Sequence, residues 1–432
     1  MNTSAEAVLA STESQIEEMP ARPSFYQRML VSALQGMTTG RLEMHLHTGQ
    51  TLTFGHDTTG PQARIEVRRS DFFRKCVLFG GVGFGEAYVD GDWDTPDIRA
   101  VLEWFICNLR SDPSLRGSSQ RIRGTGLLKA FNRVLHLLRA NSLKNSRRNI
   151  SEHYDLGNEF YRLWLDETMT YSAAKFSSAD QTLEEAQRSK YDALCQKLQL
   201  TASDHVLEIG CGWGGFSIHA ASTYGCRVTA VTISTEQHAE ATRRVKEAGL
   251  ADKISICFQD YRTITGQFDK IASIEMLEAV GDKYLETYFA KCNEVLAPNG
   301  LLAFQMITVP DADYEDLRKG TDWIQKHIFP GSLLLSTGRV NQAINRTSQM
   351  FLHAHEDLGS GYARTLREWH VKFNAVLDQV RRQGFSEAFI RKWNYYLKYC
   401  EAAFATRNIS VVQACYTKTG NLRLHREDGV SC

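Results

Sequence analysis

The stretch from Val206 to Gly215 reads V-L-E-I-G-C-G-W-G-G. It satisfies G-x-G-x-G at Gly210, Gly212 and Gly214, and G-x-G-x-x-G at Gly210, Gly212 and Gly215. Glycines let a backbone approach a ligand closely, and a helix that follows presents free N–H groups to it. The loop by itself does not separate S-adenosylmethionine (SAM) from a dinucleotide. Three features favour SAM. Glu208 stands two residues before the first glycine, where a carboxylate can serve a cationic amino-acid end. The next strand ends in Thr232-Ile233-Ser234 with Gln237 beyond, and lacks the strand-end acid that an NAD ribose takes. The loop also comes late in the chain, after a long helical lead-in. No metal site is expected. His327 has no second ligand at useful spacing, and the ten cysteines include no C-x-x-C pair. Thiols scattered in this way fit a reducing cytosol better than a disulfide framework.

The elements that must position this loop follow from periodicity. H-V-L-E-I-G (205–210) is a buried strand, followed by a helix from Gly214 to about Tyr224. Strands are expected again at 226–233, at K-I-S-I-C-F-Q-D, at F-D-K-I-A-S-I-E-M and at 300–308, with helices between them. Such alternation with short connections specifies a parallel, doubly wound α/β sheet with right-handed crossovers. Residues 309–365 break the rhythm and read as an insertion. Two helices and a last strand, I-S-V-V-Q-A-C-Y-T-K, follow. Upstream, Leu42, Met44 and Leu46 alternate with polar residues before a turn and Leu52 and Phe54, a hairpin with one buried face. A second glycine-rich stretch, G-G-V-G-F-G-E-A-Y-V-D-G-D-W-D-T-P-D (80–97), lacks a following G-K-[ST]. It is expected to form tight turns in a small domain.

The organisation expected is a disordered tail over 1–22, a small N-terminal α+β domain over 23–115, a basic amphipathic linker helix over 116–150, and a catalytic domain over 151–420. The chain of 432 residues has 50 Lys plus Arg and 50 Asp plus Glu, so it lacks the overall cationic field of a nucleic-acid binder. Its basic residues concentrate locally. Residues 111–150 hold nine Lys and Arg against Asp112 alone, and Leu127, Leu128, Phe131, Val134, Leu135 and Leu138 recur at helical spacing. Such a helix lies on an anionic membrane or packs its apolar stripe on a neighbouring domain. No run of residues is long and apolar enough for a membrane span, and the N-terminus reads as neither a signal nor a transit peptide.

The chain resembles the cyclopropane-fatty-acyl-phospholipid synthase family, which includes the mycolic acid cyclopropane synthases and related fatty-acid C-methyltransferases. The resemblance is carried in order by residues 153–176, V-L-E-I-G-C-G-W-G-G, V-T-I-S-T-E-Q (231–237), Q-D-Y-R (259–262), S-I-E-M-L-E-A-V-G (273–281), D-W-I-Q-K-H-I-F-P (322–330), G-Y-A-R-T-L-R-E-W (361–369) and Y-Y-L-K-Y-C-E-A-A-F-A-T-R (395–407). It implies a Rossmann-like methyltransferase fold and SAM-dependent transfer of a methyl or methylene carbon to the double bond of a phospholipid acyl chain. The product is a cyclopropane or methyl-branched fatty acid. The implied setting is the cytoplasmic face of the membrane, with a homodimer as the expected assembly. Tyr154, Tyr171 and Ser172 would close over SAM, Gly210 and Gly212 would meet its methionine part, Thr232 and Gln237 its ribose side, and Tyr261 its adenine. The family also holds a bicarbonate ion as base, whose ligands would be Glu278, Tyr362 and the backbone near Ala173.

The sequence departs from the family pattern around that base. Y-S-C becomes Tyr171-Ser172-Ala173, E-H-V-G becomes Glu278-Ala279-Val280-Gly281, and the His of H-T-I-G aligns with Gln305. An extra acid, Glu275, stands three residues before Glu278 and shares a face with it if the turn is helical. Glu275 serves either as a hydrogen-bond partner or at the reacting centre. Tyr171, Trp323, Phe329 and Tyr396 are candidate walls of an acyl tunnel, although core packing explains each one singly. Two other functions are weighed against lipid C-methylation. One is N- or O-methylation of a small molecule on the same scaffold; the other is a catalytically silent lipid-binding protein.

Overall fold

The structure, a computed structural model, describes residues 23–111, 156–422 and 424. The expected tail over 1–22, nearly all of the basic segment and Tyr154 lie outside the described residues.

The N-terminal domain runs α1 (Phe25–Leu34), β1 (Arg41–Leu46), β2 (Thr51–Phe54), β3 (Gln62–Val67), α2 (Asp71–Val89), β4 (Trp93–Asp94) and α3 (Ile98–Ser111). Its sheet has the order β2-β1-β3-β4. The β1–β2 hairpin pairs Leu42 with Phe54 and Met44 with Leu52, and the alternating apolar residues face the core as their period of two requires. The glycine-rich stretch departs from expectation. Residues 80–89 are the second half of α2, entered through a kink at Gly80 (φ +57°). Phe84, Ala87 and Tyr88 are buried at the i, i+3, i+4 spacing of a helix. Packing of that stripe outweighs the turn preference of the glycines.

The second domain contains α4 (Asn158–Arg162), α5 (Leu183–Lys197), β5 (His205–Ile209), α6 (Gly215–Tyr224), β6 (Arg227–Thr232), α7 (Thr235–Glu247), β7 (Ile254–Phe258), β8 (Phe268–Ile274), α8 (Leu285–Val295), β9 (Leu296–Thr308), α9 (Asp311–Leu317), α10 (Trp323–His327), α11 (Thr337–Thr347), β10 (Met350–Asp357), α12 (Gly359–Ala375), α13 (Leu377–Arg382), α14 (Glu387–Ala405) and β11 (Ser410–Lys418). Its seven strands lie in the order β10-β11-β9-β8-β5-β6-β7. Strands β5 to β9 are mutually parallel; β11 is antiparallel to both neighbours. Residues 350–357, inside the segment read as an insertion, are an edge strand of this sheet. From β5 the chain winds outward through β6 and β7, then crosses back to β8 on the other side of β5. That reversal opens a crevice beyond the C-terminal ends of β5 and β8, where open α/β sheets bind ligands.

The two domains pack through α14. Arg391 on this helix donates to the carbonyls of Tyr88 (2.8 Å) and Trp93 (3.1 Å), and the buried Glu401 pairs with Arg99 at 3.0 Å. No helix among the described residues is long and apolar enough to cross a membrane.

Candidate active site

The glycine loop leaves β5 at the crevice. Gly210 (φ +83°) and Gly212 (φ +51°) hold backbone angles that an L side chain rarely adopts. A Cβ at Gly210 would come within 2.7 Å of Met276, so the turn is also sterically closed there. A Cβ at Gly212 would meet nothing within 4 Å. The loop therefore faces open space at Gly212, and Gly214 at the N-cap starts α6 directly behind it. This cradle fits the amino-acid end of SAM. Glu208 lies beneath, buried, and accepts from the Ser217 hydroxyl. Burial pushes its carboxyl up to about 8, opposed by Ser217 and Lys190, so a cationic ligand end nearby would favour its charged form.

Farther along the same edge, the Thr232 hydroxyl donates to Gln237 Oε1 at 3.0 Å, and Ser234 caps α7 by accepting from the Gln237 N–H at 3.3 Å. Tyr261 follows β7 on a short turn that Asp260 caps, its ring edge-on to Tyr288 at 5.2 Å. On the opposite wall, the Tyr171 and Tyr396 hydroxyls share a hydrogen bond of 2.8 Å, and Phe329 packs against both rings. Trp323 stands elsewhere. It is buried edge-on to Tyr395 at the junction with the N-terminal domain, and Lys326 and His327 beside it reach Glu86 of α2.

Beyond β8 the chain turns sharply at Glu275, a non-glycine residue at φ +47°. Such an outlier points to a site where surrounding structure holds strain. Its carboxylate is enclosed by donors. Oε1 accepts from the Ala173 N–H at 2.8 Å and from Gln305 Nε2 at 2.7 Å, and Oε2 accepts from the Tyr362 hydroxyl at 3.0 Å. Strand register sets Gln305, which lies opposite Ile274 of β8 on one side and Gln413 of β11 on the other. Gln413 Nε2 donates to Gln305 Oε1 at 3.1 Å, so the amide of Gln305 is oriented with its nitrogen toward Glu275. Burial raises the Glu275 carboxyl, while Lys190 and the three donors pull it back down.

Glu278 is brought close but aimed differently. It sits on the turn Leu277–Ala279, and its Oε1 accepts from the Ile307 N–H at 2.5 Å. Its Oε2 is buried without a partner. Burial, and then the charge of Glu275, push it up to about 8, so Glu278 favours its protonated form near neutral pH. Tyr362, expected with Glu278 as a ligand of the bicarbonate ion, donates instead to Glu275. Two of the three groups expected around a bicarbonate, Tyr362 and the Ala173 N–H, already donate to a carboxylate of the chain itself. The residues present do not fit the ion.

Two members of this arrangement escaped the sequence reading, Gln413 and Lys190. The second had a legible signal: it lies on the apolar face of α5 between Gln187 and Leu194, where a lysine is out of place.

Residues 141–414 match the family model described as mycolic acid cyclopropane synthetase. The tuberculostearic acid methyltransferase UfaA1 of Mycobacterium tuberculosis is 34% identical over 410 residues, covering 90% of this chain and 91% of that protein. The cyclopropane-fatty-acyl-phospholipid synthase of Escherichia coli K12 is 35% identical over 364 residues, covering 82% and 88% respectively. Among solved structures, the mycolic acid cyclopropane synthase CmaA1 of the complex with SAH and CTAB superposes with a TM-score of 0.59 at 28% identity, over 63% of this chain and 98% of that one. With the fold, the glycine cradle and these relatives in agreement, the chain belongs to the mycolic acid cyclopropane synthetase family and is a SAM-dependent methyltransferase.

Proposed function

We propose that the protein transfers one carbon from SAM to the double bond of an unsaturated phospholipid acyl chain, with Glu275 as the base. The observation that carries this reading is the buried Glu275 carboxylate with its three donors, next to the crevice that the glycine loop opens. SAM supplies an electrophilic methyl on a sulfonium. An alkene is a weak nucleophile, so the chain must align it and exclude water. Tyr171, Phe329 and Tyr396 supply aromatic faces that favour positive charge developing on the acyl chain. Glu275 then removes a proton. Loss from the added carbon closes a cyclopropane; loss from a neighbouring chain carbon leaves a methyl-branched alkene; and a hydride shift to the cationic carbon followed by loss from the added carbon leaves a methylene branch. The position of the base decides between them. With Ala173, Ala279 and Gln305 at positions where the family pattern has Cys and His, part of the product is methyl- or methylene-branched.

The lipid is reached at the cytoplasmic face of the membrane, where the nine Lys and Arg of residues 116–148 meet anionic head groups. Each such charge contributes about 1 kcal/mol near an anionic surface.

Lipids extracted from cells that express the protein distinguish the products by proton NMR: cyclopropane protons far upfield, vinylidene protons for a methylene branch. Glu275→Gln keeps the hydrogen-bonding shape but cannot hold the proton. It should lower turnover by about 10²- to 10⁴-fold and leave SAM affinity within about threefold. Wild-type turnover in this variant would remove Glu275 from the reaction.

A further inference from the structure

The core face of α5 carries Leu183, Ala186, Gln187, Lys190, Tyr191 and Leu194, all buried. Lys190 is 0% exposed. An ammonium in such a place is costly without a partner. Its Nζ donates to the Ser172 hydroxyl at 2.6 Å and lies 4.4 Å from the centre of the Tyr191 ring. Among the described residues no carboxylate forms an ion pair with it.

What covers Lys190 is the segment 166–174, whose alternate residues Thr168, Thr170 and Ser172 are tied together against α5. Thr168 bonds Thr170 at 2.5 Å, Thr170 bonds the Tyr191 hydroxyl at 2.5 Å, and Gln187 Nε2 donates to the Ser172 carbonyl at 2.9 Å. The charged groups that face Lys190 come from three other places: Glu275 beyond β8, Glu208 in β5 and Asp166 at the start of the covering segment. The Ser172 hydroxyl that Lys190 holds is one residue from the Ala173 N–H that donates to Glu275.

We propose that Lys190 is a positioning residue for Glu275. It anchors Ser172 so that the Ala173 N–H is aimed at the carboxylate, and its buried charge favours the ionised form of that carboxylate. The inference rests on the reading of Glu275 as the base. Burial lowers Lys190 to about 8 against the opposing pull of Glu275, Asp166 and Glu208, so the ammonium is charged at neutral pH. In return, Lys190 is the largest of the influences that lower Glu275.

The test is the pH dependence of kcat on vesicles of an unsaturated phosphatidylglycerol with saturating SAM. In the wild type the acid limb reports ionisation of Glu275. Lys190→Met removes the charge at nearly constant length, and should move that limb upward by about one pH unit. Activity lost at neutral pH should return in part as the pH rises, with SAM affinity within about threefold of wild type. Lys190→Arg, which keeps a charge that cannot titrate, should restore the wild-type limb. Should Lys190→Met fail to fold, Ser172→Ala decides: it removes the hydroxyl that Lys190 anchors, loosens the aim of the Ala173 N–H at Glu275 and shifts the limb the same way. An unmoved limb in a folded Lys190→Met, or in Ser172→Ala, overturns the proposal. Glu275→Gln is run beside them. If it turns over like wild type, the assignment of the base fails. If it is inactive while the limb stays unmoved in the others, only the role of Lys190 fails.

Discussion

Two glycine-rich segments of similar composition serve opposite purposes in this molecule. The segment after β5 has left-handed glycines at Gly210, Gly212 and Gly214, and at Gly212 the missing side chain leaves open space. The segment 80–85 has one left-handed glycine, Gly80, and beyond it the chain is helical. There the missing side chains admit protein. A Cβ at Gly85 would lie 2.5 Å from the Trp323 ring and 2.8 Å from that of Tyr395. Glycine lets a backbone approach something closely; what it approaches is decided by the strands and helices on either side. A buried parallel strand before the glycines and a helix after them give a ligand loop. A kinked helix whose Phe84, Ala87 and Tyr88 face the core gives a domain contact.

The comparison breaks most visibly at Gly212. Gly212→Val places a branched side chain in the open cradle, at a backbone angle that costs about 1–3 kcal/mol. SAM affinity measured by calorimetry should fall at least about 100-fold, equivalent to about 2.7 kcal/mol, while circular dichroism shows the fold retained. Unchanged affinity would mean that the loop does not hold SAM.

The counterpart is Gly85→Val, where the added methyls meet Trp323 and Tyr395 with no room to spare. Overpacking of this kind costs about 1–3 kcal/mol. The loss should appear in urea denaturation, with SAM affinity changed by less than about threefold. Loss of SAM affinity without loss of stability would make 80–85 a ligand loop after all.

The same contrast explains which parts of the molecule were legible in the sequence. Strand β5 and its loop are local: a short apolar run, a glycine turn and a capped helix within about one βα unit. The hairpin of β1 and β2 was readable for the same reason, since alternation at period two needs no distant partner. The second half of α2 was misread because its glycines signal turns more loudly than three apolar residues signal a helical stripe. Edge strand β10 escaped because most of its residues are at least partly exposed and carry little alternation. At the site, Glu278 and Tyr362 were visible as residue types through the family resemblance, and Glu275 and Gln305 as departures from it. Their pairing was not. Tyr362 meets Glu275 across 87 residues of sequence, and Gln413 meets Gln305 across 108, and both meetings depend on how the elements pack. Lys190 was legible in principle, as a charged residue on an apolar face.

The smallest expected effect is the most discriminating, because it compares two adjacent glycines. Gly80 and Gly81 both face open space, so neither excludes a methyl group by contact. They differ in backbone. Gly80 has φ +57° and ψ −135°, outside the helical region, whereas Gly81 falls within the helical run of α2. An alanine at Gly80 must hold a conformation that costs about 1–3 kcal/mol for an L residue. At Gly81 the alanine fits the helix and loses less conformational freedom on folding, a gain of about 0.5–1 kcal/mol. Gly80→Ala should therefore lower the urea midpoint and Gly81→Ala should raise it, with turnover and SAM affinity unchanged in both. The kink at Gly80 is what redirects α2 so that Gly85 reaches Trp323. If both substitutions stabilise the protein, the kink is not held in solution, and the close approach of α2 to Trp323 and Tyr395 needs another cause.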